Sequence, residues 1–197
     1  MYITLYVEGS YVSGNKASQI SCKQAFEALF RKIGLKSPKF ICVAGGGRDE
    51  VWNDFILALE ENRQGIFIAM LIDTDAPLNK YPNIWQFTGH QQPTNSNDDQ
   101  LLLMVTSMES WIAADRESLR EFYKTCLKED RLPILSNIEN IDCLPYLEDA
   151  TTGCSKDKYE KGANSFKVLS NLNPFNIKKH SDSFRRACEI LTVQIAK

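Results

Sequence analysis

The feature that most constrains this chain is a switch of hydrophobic period, repeated twice, in its first seventy or so residues. Tyr2–Val7 is β-rich and of strand length, and Lys16–Ile33 then carries Ile20, Ala25, Phe26, Leu29, Phe30 and Ile33 at helical spacing up to Gly34. Phe40–Val43 reads as a second strand, and a turn through Gly45, Gly46 and Gly47 follows it. The next helix, about Asp49–Asn62, places Val51, Trp52, Phe55, Ile56 and Leu59 on one stripe before Gly65. Ile66–Ile72 is nearly continuous in apolar residues, as in a strand covered on both faces. A βαβαβ succession of this kind predicts an α/β fold, a mostly parallel, Rossmann-like sheet flanked by helices and joined by right-handed crossovers.

Beyond the third strand the pattern loosens. Thr74–Asn83 reads as a Pro-containing loop, Ile84–Thr88 as a short strand, and Gly89–Asp99 as a polar exposed stretch. Leu101–Thr106 predicts a fourth buried strand, leading into a helix over Ser110–Ala114 that runs on through Leu119–Cys126. Residues 128–157 carry no regular period. Two helices, Ala163–Asn171 and Ser181–Ile195, are split by Asn173-Pro174. The expected organisation is a core over 1–127, with an irregular segment and C-terminal helices over 128–197 packing on the same domain.

At 197 residues the chain can bury one substantial core. Its formal net charge of -2 and pI near 5.8 give no long-range attraction for nucleic acid, leaving only local basic patches for that task. The six cysteines are scattered without a CxxC pair, which argues against a zinc site or a dense disulfide framework and for thiols in a reducing compartment. The N-terminus enters a strand without the layout of a signal peptide, and no apolar run reaches membrane-spanning length. These features predict a cytoplasmic protein with no membrane partner.

In an open parallel sheet the C-terminal ends of the strands share one edge, where ligands bind. Glu8 closes the first strand, and Asp73 and Asp75 close the third. Taken alone, Glu8-Gly9 reads as an exposed acid before a turn glycine, and Asp75 before Ala76-Pro77 also fits a turn former. Alternate residues of an extended segment share a side, so Asp73 and Asp75 are candidates to face one ligand. Clustered carboxylates repel one another, and an all-oxygen donor set suits Mg²⁺ or Mn²⁺. After the fourth strand, Ser107-Met108-Glu109 opens a helix at the same edge. There Thr106 and Glu109 also fit a capping box, with Thr106 as N-cap.

Other motifs carry less. Gly45–Gly47 lacks the spacing of a dinucleotide or Walker loop, so a tight turn is the simpler reading than an anion nest, with Arg48 beside it. Lys158–Gly162 and the cluster Lys178, Lys179, Arg185 and Arg186 beside His180 are mildly basic and together form a candidate phosphate-backbone surface. Neither histidine has an acidic or nucleophilic neighbour at a recognisable spacing. An Asp-x-Asp also suggests haloacid-dehalogenase phosphatases, but those carry it on the first strand, and Pro77 stands where they have Thr or Val. Sugar-nucleotide transferases use the motif too, with nothing else here to support them.

The order Glu-Gly, Asp-x-Asp, Ser-x-Glu after successive strands resembles the Toprim domain, nearest to its OLD-family nuclease variant. The chain also resembles compact, stand-alone Toprim-like proteins often encoded beside ATPases in mobile or antiviral loci. The segments LYVEGS, VAGGGRDEVWNDF, AMLIDTDAP, VTSMESWIAAD and KYEKGANSFKVLSNLNP carry the likeness over most of residues 1–175. The resemblance implies Glu8, Asp73, Asp75 and Glu109 as metal ligands for Mg²⁺ or Mn²⁺. It implies Glu8 also as an acid–base residue, Ser107 as completing the site, and Lys161 as a phosphate-stabilising residue. The implied activity is phosphodiester hydrolysis on DNA or RNA, with an ATPase as partner protein; a non-catalytic subunit of an ATPase complex is the alternative. One departure matters: such proteins often continue EGxxE, and position 12 here is Val12. Asp49 or Glu50 would replace the missing acid if their loop folds inward.

Overall fold

The computed structural model describes residues 1–9, 16–61, 63–155 and 158–197; Val12 lies outside them. The first half follows the alternation of period closely. Strand β1 (Tyr2–Val7) leads to helix α1 (Lys16–Arg31), then β2 (Phe40–Ala44), α2 (Arg48–Glu61) and β3 (Ile66–Asp73). Strand β4 (Leu101–Met104) completes a sheet of order β2-β1-β3-β4 in which every pairing is parallel. The fold is thus α/β and consistent with a Rossmann-like arrangement. Of the central strands, β1 is followed directly by the candidate acid Glu8 and β3 ends in Asp73.

Alternation along the strands divides the core in two. Ile3, Leu5 and Val7 of β1, with Phe67, Ala69 and Leu71 of β3, face the larger cluster; Ile68, Met70 and Ile72 of β3 face the smaller. The smaller cluster is roofed by α2 through Val51, Phe55 and Leu59, together with Trp85 and Phe87. Those two aromatics lie in a short 3-10 helix, Ile84–Thr88, and not in a strand as their alternation suggests. Asn83 caps its first turn by accepting from the Trp85 N–H at 2.8 Å, and Gly89 ends it at a φ of 79°. A single turn suffices to drop Trp85 and Phe87 onto α2, so no fifth strand is needed to bury them.

The larger cluster takes all the remaining helices: α3 (Met108–Ala114), α4 (Arg116–Tyr123), α5 (Leu144–Ala150), α6 (Ala163–Asn171), α7 (Pro174–His180) and α8 (Asp182–Ala196). Cys143, Leu147, Tyr159, Phe166, Leu169, Phe184 and Leu191 pack in the same cluster as β1 and α1, so the residues after 127 share the core of those before it. Two helices here were hidden by proline. Pro145 lies in the first turn of α5, and Pro174 opens α7 behind Asn173, whose side chain accepts from the Phe175 N–H. Proline breaks a helix in its interior but is suited to its first turn, where its missing N–H would have been unpaired. The break between α6 and α8 therefore contains a helix of its own.

Buried polar groups fix how these helices meet. Asp115, fully buried, caps α4 by accepting from the Ser118 N–H and reaches across to α7, accepting from the Asn173 N–H at 2.6 Å and the Asn176 amide at 3.0 Å. Cys126 and Cys154 form a disulfide across a separation of 28 residues, whereas Cys22, Cys42, Cys143 and Cys188 are free and buried. The expectation that most of the cysteines are thiols holds for these four; the remaining pair is brought together where α5 packs on Glu129–Arg131, with the Lys128 N–H donating to the Ala150 carbonyl at 2.8 Å. Among the described residues, no helix is long and apolar enough to cross a membrane.

Candidate functional site

The C-terminal edge of the sheet carries a cavity of about 280 Å³ lined by Glu8, Glu50, Asp73, Glu109 and Lys161, with Phe166 and Met108 as apolar wall. The residues following β1, β2 and β4 and the last residue of β3 all contribute, as the shared edge of parallel strands requires.

Each acid is held by backbone or by a buried partner. The Glu8 N–H donates to the Leu71 carbonyl at 2.9 Å, which extends the β1–β3 ladder past Val7. The Glu8 carboxylate then accepts from the Asp73 N–H at 3.2 Å. Asp73 in turn accepts from the Met108 N–H at 2.9 Å, so a carboxylate from β3 caps the first turn of α3. Glu109, 1% exposed, accepts from the Tyr159 hydroxyl at 3.0 Å, and Tyr159 is itself fully buried. Gly162, at a φ of 108°, turns the chain from Lys161 into α6. That backbone conformation is open to glycine and strained for other residues.

The capping box anticipated at Thr106 and Glu109 does not form. Thr106 sits at a φ of 49°, one residue before the N-cap Ser107, and its hydroxyl is engaged with Ser110 and the Ile141 carbonyl. Asp73 supplies the cap instead, which leaves Glu109 to turn inward. Ser107 is buried, does not line the cavity, and its Oγ has no hydrogen-bond partner among the described residues.

Asp75 takes a different course from Asp73. Its φ of 54° breaks the extended run, so the two acids do not share a side, and its N–H donates to the Thr106 carbonyl at 2.8 Å. The Asp75 carboxylate pairs with Arg48 and lies outside the cavity lining. Arg48 also donates to the Asp73 carbonyl at 2.9 Å, with its Nε 3.7 Å from the Glu8 carboxylate.

Of the two acids near the glycine turn, Glu50 folds inward and Asp49 does not. Glu50 lines the cavity and accepts from the Gly46 N–H at 3.0 Å, while the Asp49 side chain is 90% exposed beside His90. Gly46 therefore serves its own helix and not an anion: a Cβ there would lie 2.1 Å from the Glu50 carboxylate. The basic cluster near His180 is likewise largely engaged within the fold. Arg186 donates to the Leu101 and Asp98 carbonyls at 3.0 and 2.6 Å, Arg185 pairs with Asp182, and Lys179 donates to Asn176.

Electrostatically the cavity is short of positive charge. Burial pushes the Asp73 carboxyl well above its ordinary range, and Glu109 and Glu8 push it further, with Lys161 opposing. Burial raises Glu8 as well, against the pull of Arg48, the Asp73 N–H and Lys161. Among the described residues no group of three or more His, Cys, Asp or Glu side chains is so arranged that it could hold a metal ion as it stands. The donor chemistry nonetheless suits a hard divalent cation: the acids offer only oxygen, and their mutual repulsion is what such an ion relieves. Glu8, Asp73 and Glu109 each commit an oxygen to one of the bonds described above.

Sequence reasoning missed Tyr159, whose only signal was an aromatic residue two positions before Lys161. Outer partners that orient ligands typically matter by about 10–100-fold in metal affinity or activity. Tyr159→Phe is expected to weaken Mn²⁺ binding by roughly that factor with little change in melting temperature. Calorimetric titration of the two proteins checks it, and equal affinities would remove Tyr159 from the site.

No curated protein and no solved structure matches the chain. A family profile does, over residues 16–192, a span that takes in Asp73, Asp75, Ser107, Glu109 and Lys161 but begins after Glu8. By that match the chain belongs to the DUF4276 family, a domain of unknown function.

Proposed function

We propose that the protein is a divalent-metal-dependent nuclease of Toprim type, hydrolysing a phosphodiester of DNA or RNA as the effector of an ATPase-linked antiviral or mobile-element system. The observation that supports it most is the convergence of Glu8, Asp73 and Glu109, from three separate strand ends, on one cavity with Lys161. Bound Mg²⁺ or Mn²⁺ would supply Lewis-acid polarisation of the phosphate and activation of water. Asp73 and Glu109 would hold the ion. Glu8, whose carboxyl is raised above the ordinary carboxylate range by burial, would be the acid–base residue. Lys161 offsets negative charge developing on the phosphate. The compartment proposed is the cytoplasm, whose thiol pools would favour the reduced form of the Cys126–Cys154 pair.

A second reading is favoured by the Arg48–Asp75 pair, which removes one implied ligand. On that reading the chain is a non-catalytic subunit docked on an ATPase. Plasmid, single-stranded DNA and tRNA incubated with Mg²⁺ or Mn²⁺ separate the two. Metal-dependent cleavage by wild type, absent in Asp73→Ala, is the expected result. No cleavage with or without the ATPase sinks the nuclease reading, and turnover of a small phosphomonoester instead would point to an Asp73-based phosphatase.

A further inference from the structure

The disulfide lies at the head of a chain of contacts that ends in the cavity. Cys126 ends the single turn Lys124–Cys126 after α4, and its partner Cys154 closes the turn that follows α5. Thr151, fully buried at the end of α5, ties that turn to the site. Its carbonyl accepts from the Cys154 N–H at 2.9 Å. Its hydroxyl donates to the Leu147 carbonyl at 2.7 Å and accepts from the Tyr159 N–H at 2.8 Å. Tyr159 connects onward to Glu109, whose carboxylate accepts from the phenol at 3.0 Å, and Lys161 follows two residues later on the cavity wall.

The two ends of the stretch between α5 and α6 are held by different means. At the far end α6 packs on α1, and Lys32 donates to the Ser170 and Leu172 carbonyls at 2.9 and 2.6 Å, bonds in which no cysteine takes part. At the near end the disulfide is joined by the Lys128 N–H on the Ala150 carbonyl and by the exposed Arg131–Asp149 pair. Exposed ion pairs contribute little, so apart from apolar packing the disulfide is the strongest tie on that side. Ser155, next to Cys154, stands at a φ of 48°, a left-handed conformation that a residue other than glycine keeps only where its surroundings impose it. The pair is also open to exchange with the fold intact. Cys126 is partly exposed, whereas the four thiols are buried, and burial raises that of Cys143, at the start of α5, to about 11.

We propose that the Cys126–Cys154 disulfide is a redox latch on the cavity. Formed, it holds Tyr159 against Glu109; reduced, it lets the end of α5 and Tyr159 move and leaves the buried Glu109 carboxylate without that donor. The reductant is a dithiol. One of its thiolates attacks the Cys126 sulfur, the S–S bond breaks, and Cys154 leaves as a thiolate that takes up a proton. The second thiol of the reductant then displaces Cys126 from the mixed disulfide, and Cys126 is protonated in turn. Two electrons and two protons have passed to the pair, and the reductant ends as a disulfide. The latch stands on the contacts above; that it regulates turnover rests on the nuclease reading.

Amide exchange followed by nuclear magnetic resonance on the metal-free full chain tests the latch without reference to activity. In the air-oxidised protein two of the six cysteines should resist alkylation in denaturant, and six reactive thiols would overturn the proposal. On reduction with dithiothreitol, and equally in Cys126→Ser, protection of the Tyr159 amide should fall by on the order of 10²-fold, a typical disulfide's contribution. That fall should exceed the one in β1, whose amides report opening of the whole chain, by about tenfold or more. Equal losses at the two places would mean that the disulfide stabilises the fold as a whole, and would overturn the latch. Thr151→Val, which removes the hydroxyl that Tyr159 bonds, should lower Tyr159 protection in both redox states; unchanged protection would cut the route from the disulfide and overturn it too. Should Cys126→Ser not fold by circular dichroism, the reduced wild type decides. Cleavage by the reduced protein should be slower by about 10–100-fold, with no redox dependence in Tyr159→Phe. Equal cleavage in both states overturns the regulatory role, whereas no cleavage in either sinks the nuclease reading and leaves the latch to the exchange result.

Discussion

Asp73→Asn is expected to abolish metal-dependent cleavage, a loss of about 10³-fold, while leaving the metal-free protein at least as stable as wild type. Asparagine keeps an oxygen for the Met108 N–H, so α3 remains capped. What it removes is a charge opposed by burial and by the neighbouring Glu109 and Glu8. The sign of the pH dependence follows from the same groups. Asp73 and Glu8 are raised in the folded state above their ordinary values of 3.8 and 4.5. Over that interval the native state binds more protons than the unfolded chain, so the stability these groups contribute is full below the ordinary values and is lost as pH rises through the folded ones. Metal-free wild type should therefore show a component of melting temperature that falls with rising pH, and the variant a smaller one. Mn²⁺ at a hundred times its dissociation constant should add about 2.7 kcal/mol to wild type near neutral pH, worth about 2–4 °C per kcal/mol in a chain of this size. Differential scanning fluorimetry in chelator and in Mn²⁺ across pH reads all of this. A variant that melts several degrees lower in chelator would show that the Asp73 charge holds the fold together.

Gly9→Ala should damage fold and site together. A Cβ at Gly9 would lie 2.1 Å from the Cys22 Sγ and 3.3 Å from its Cβ, and Cys22 is fully buried on α1 with no room to retreat. Overpacking of this kind costs about 1–3 kcal/mol. The displaced backbone is that of the residue after Glu8, so metal affinity should fall with stability. Burial pushes the Cys22 thiol up to about 12, which makes it a packing group and not a nucleophile. Cys22→Ala removes the clashing sulfur, and the double variant should recover most of the loss, with a coupling above about 1 kcal/mol for residues in contact. Strictly additive effects in a denaturant-melt cycle would show that the clash is relieved elsewhere.

Glu8, Asp73 and Glu109 were legible because strand length and strand direction are written in local hydrophobic period, and parallel strands end on one side. Asp75 was misplaced by the same logic: alternation assumes extended backbone, and a left-handed φ at that residue is invisible to it. Glu109 was visible but ambiguous until Asp73 proved to be the cap that Thr106 was expected to provide. Tyr159 and Arg48 act across long separations, 50 residues to Glu109 in one case and 27 to Asp75 in the other, and no local pattern encodes such contacts. The helix at Pro174 was legible in principle, since an Asn-Pro pair is as much a start signal as a stop.

The bond from the Glu8 carboxylate to the Asp73 N–H and that from the Asp73 carboxylate to the Met108 N–H have a spectroscopic consequence. Two main-chain protons sit directly on the acids of the cavity, one at the end of a central strand and one at the start of a helix. Whatever changes the charge of those carboxylates changes the shielding of these amides at the same time. The backbone resonances of Asp73 and Met108 are thus built-in reporters of occupancy and protonation, readable in the intact protein without any label on the site itself.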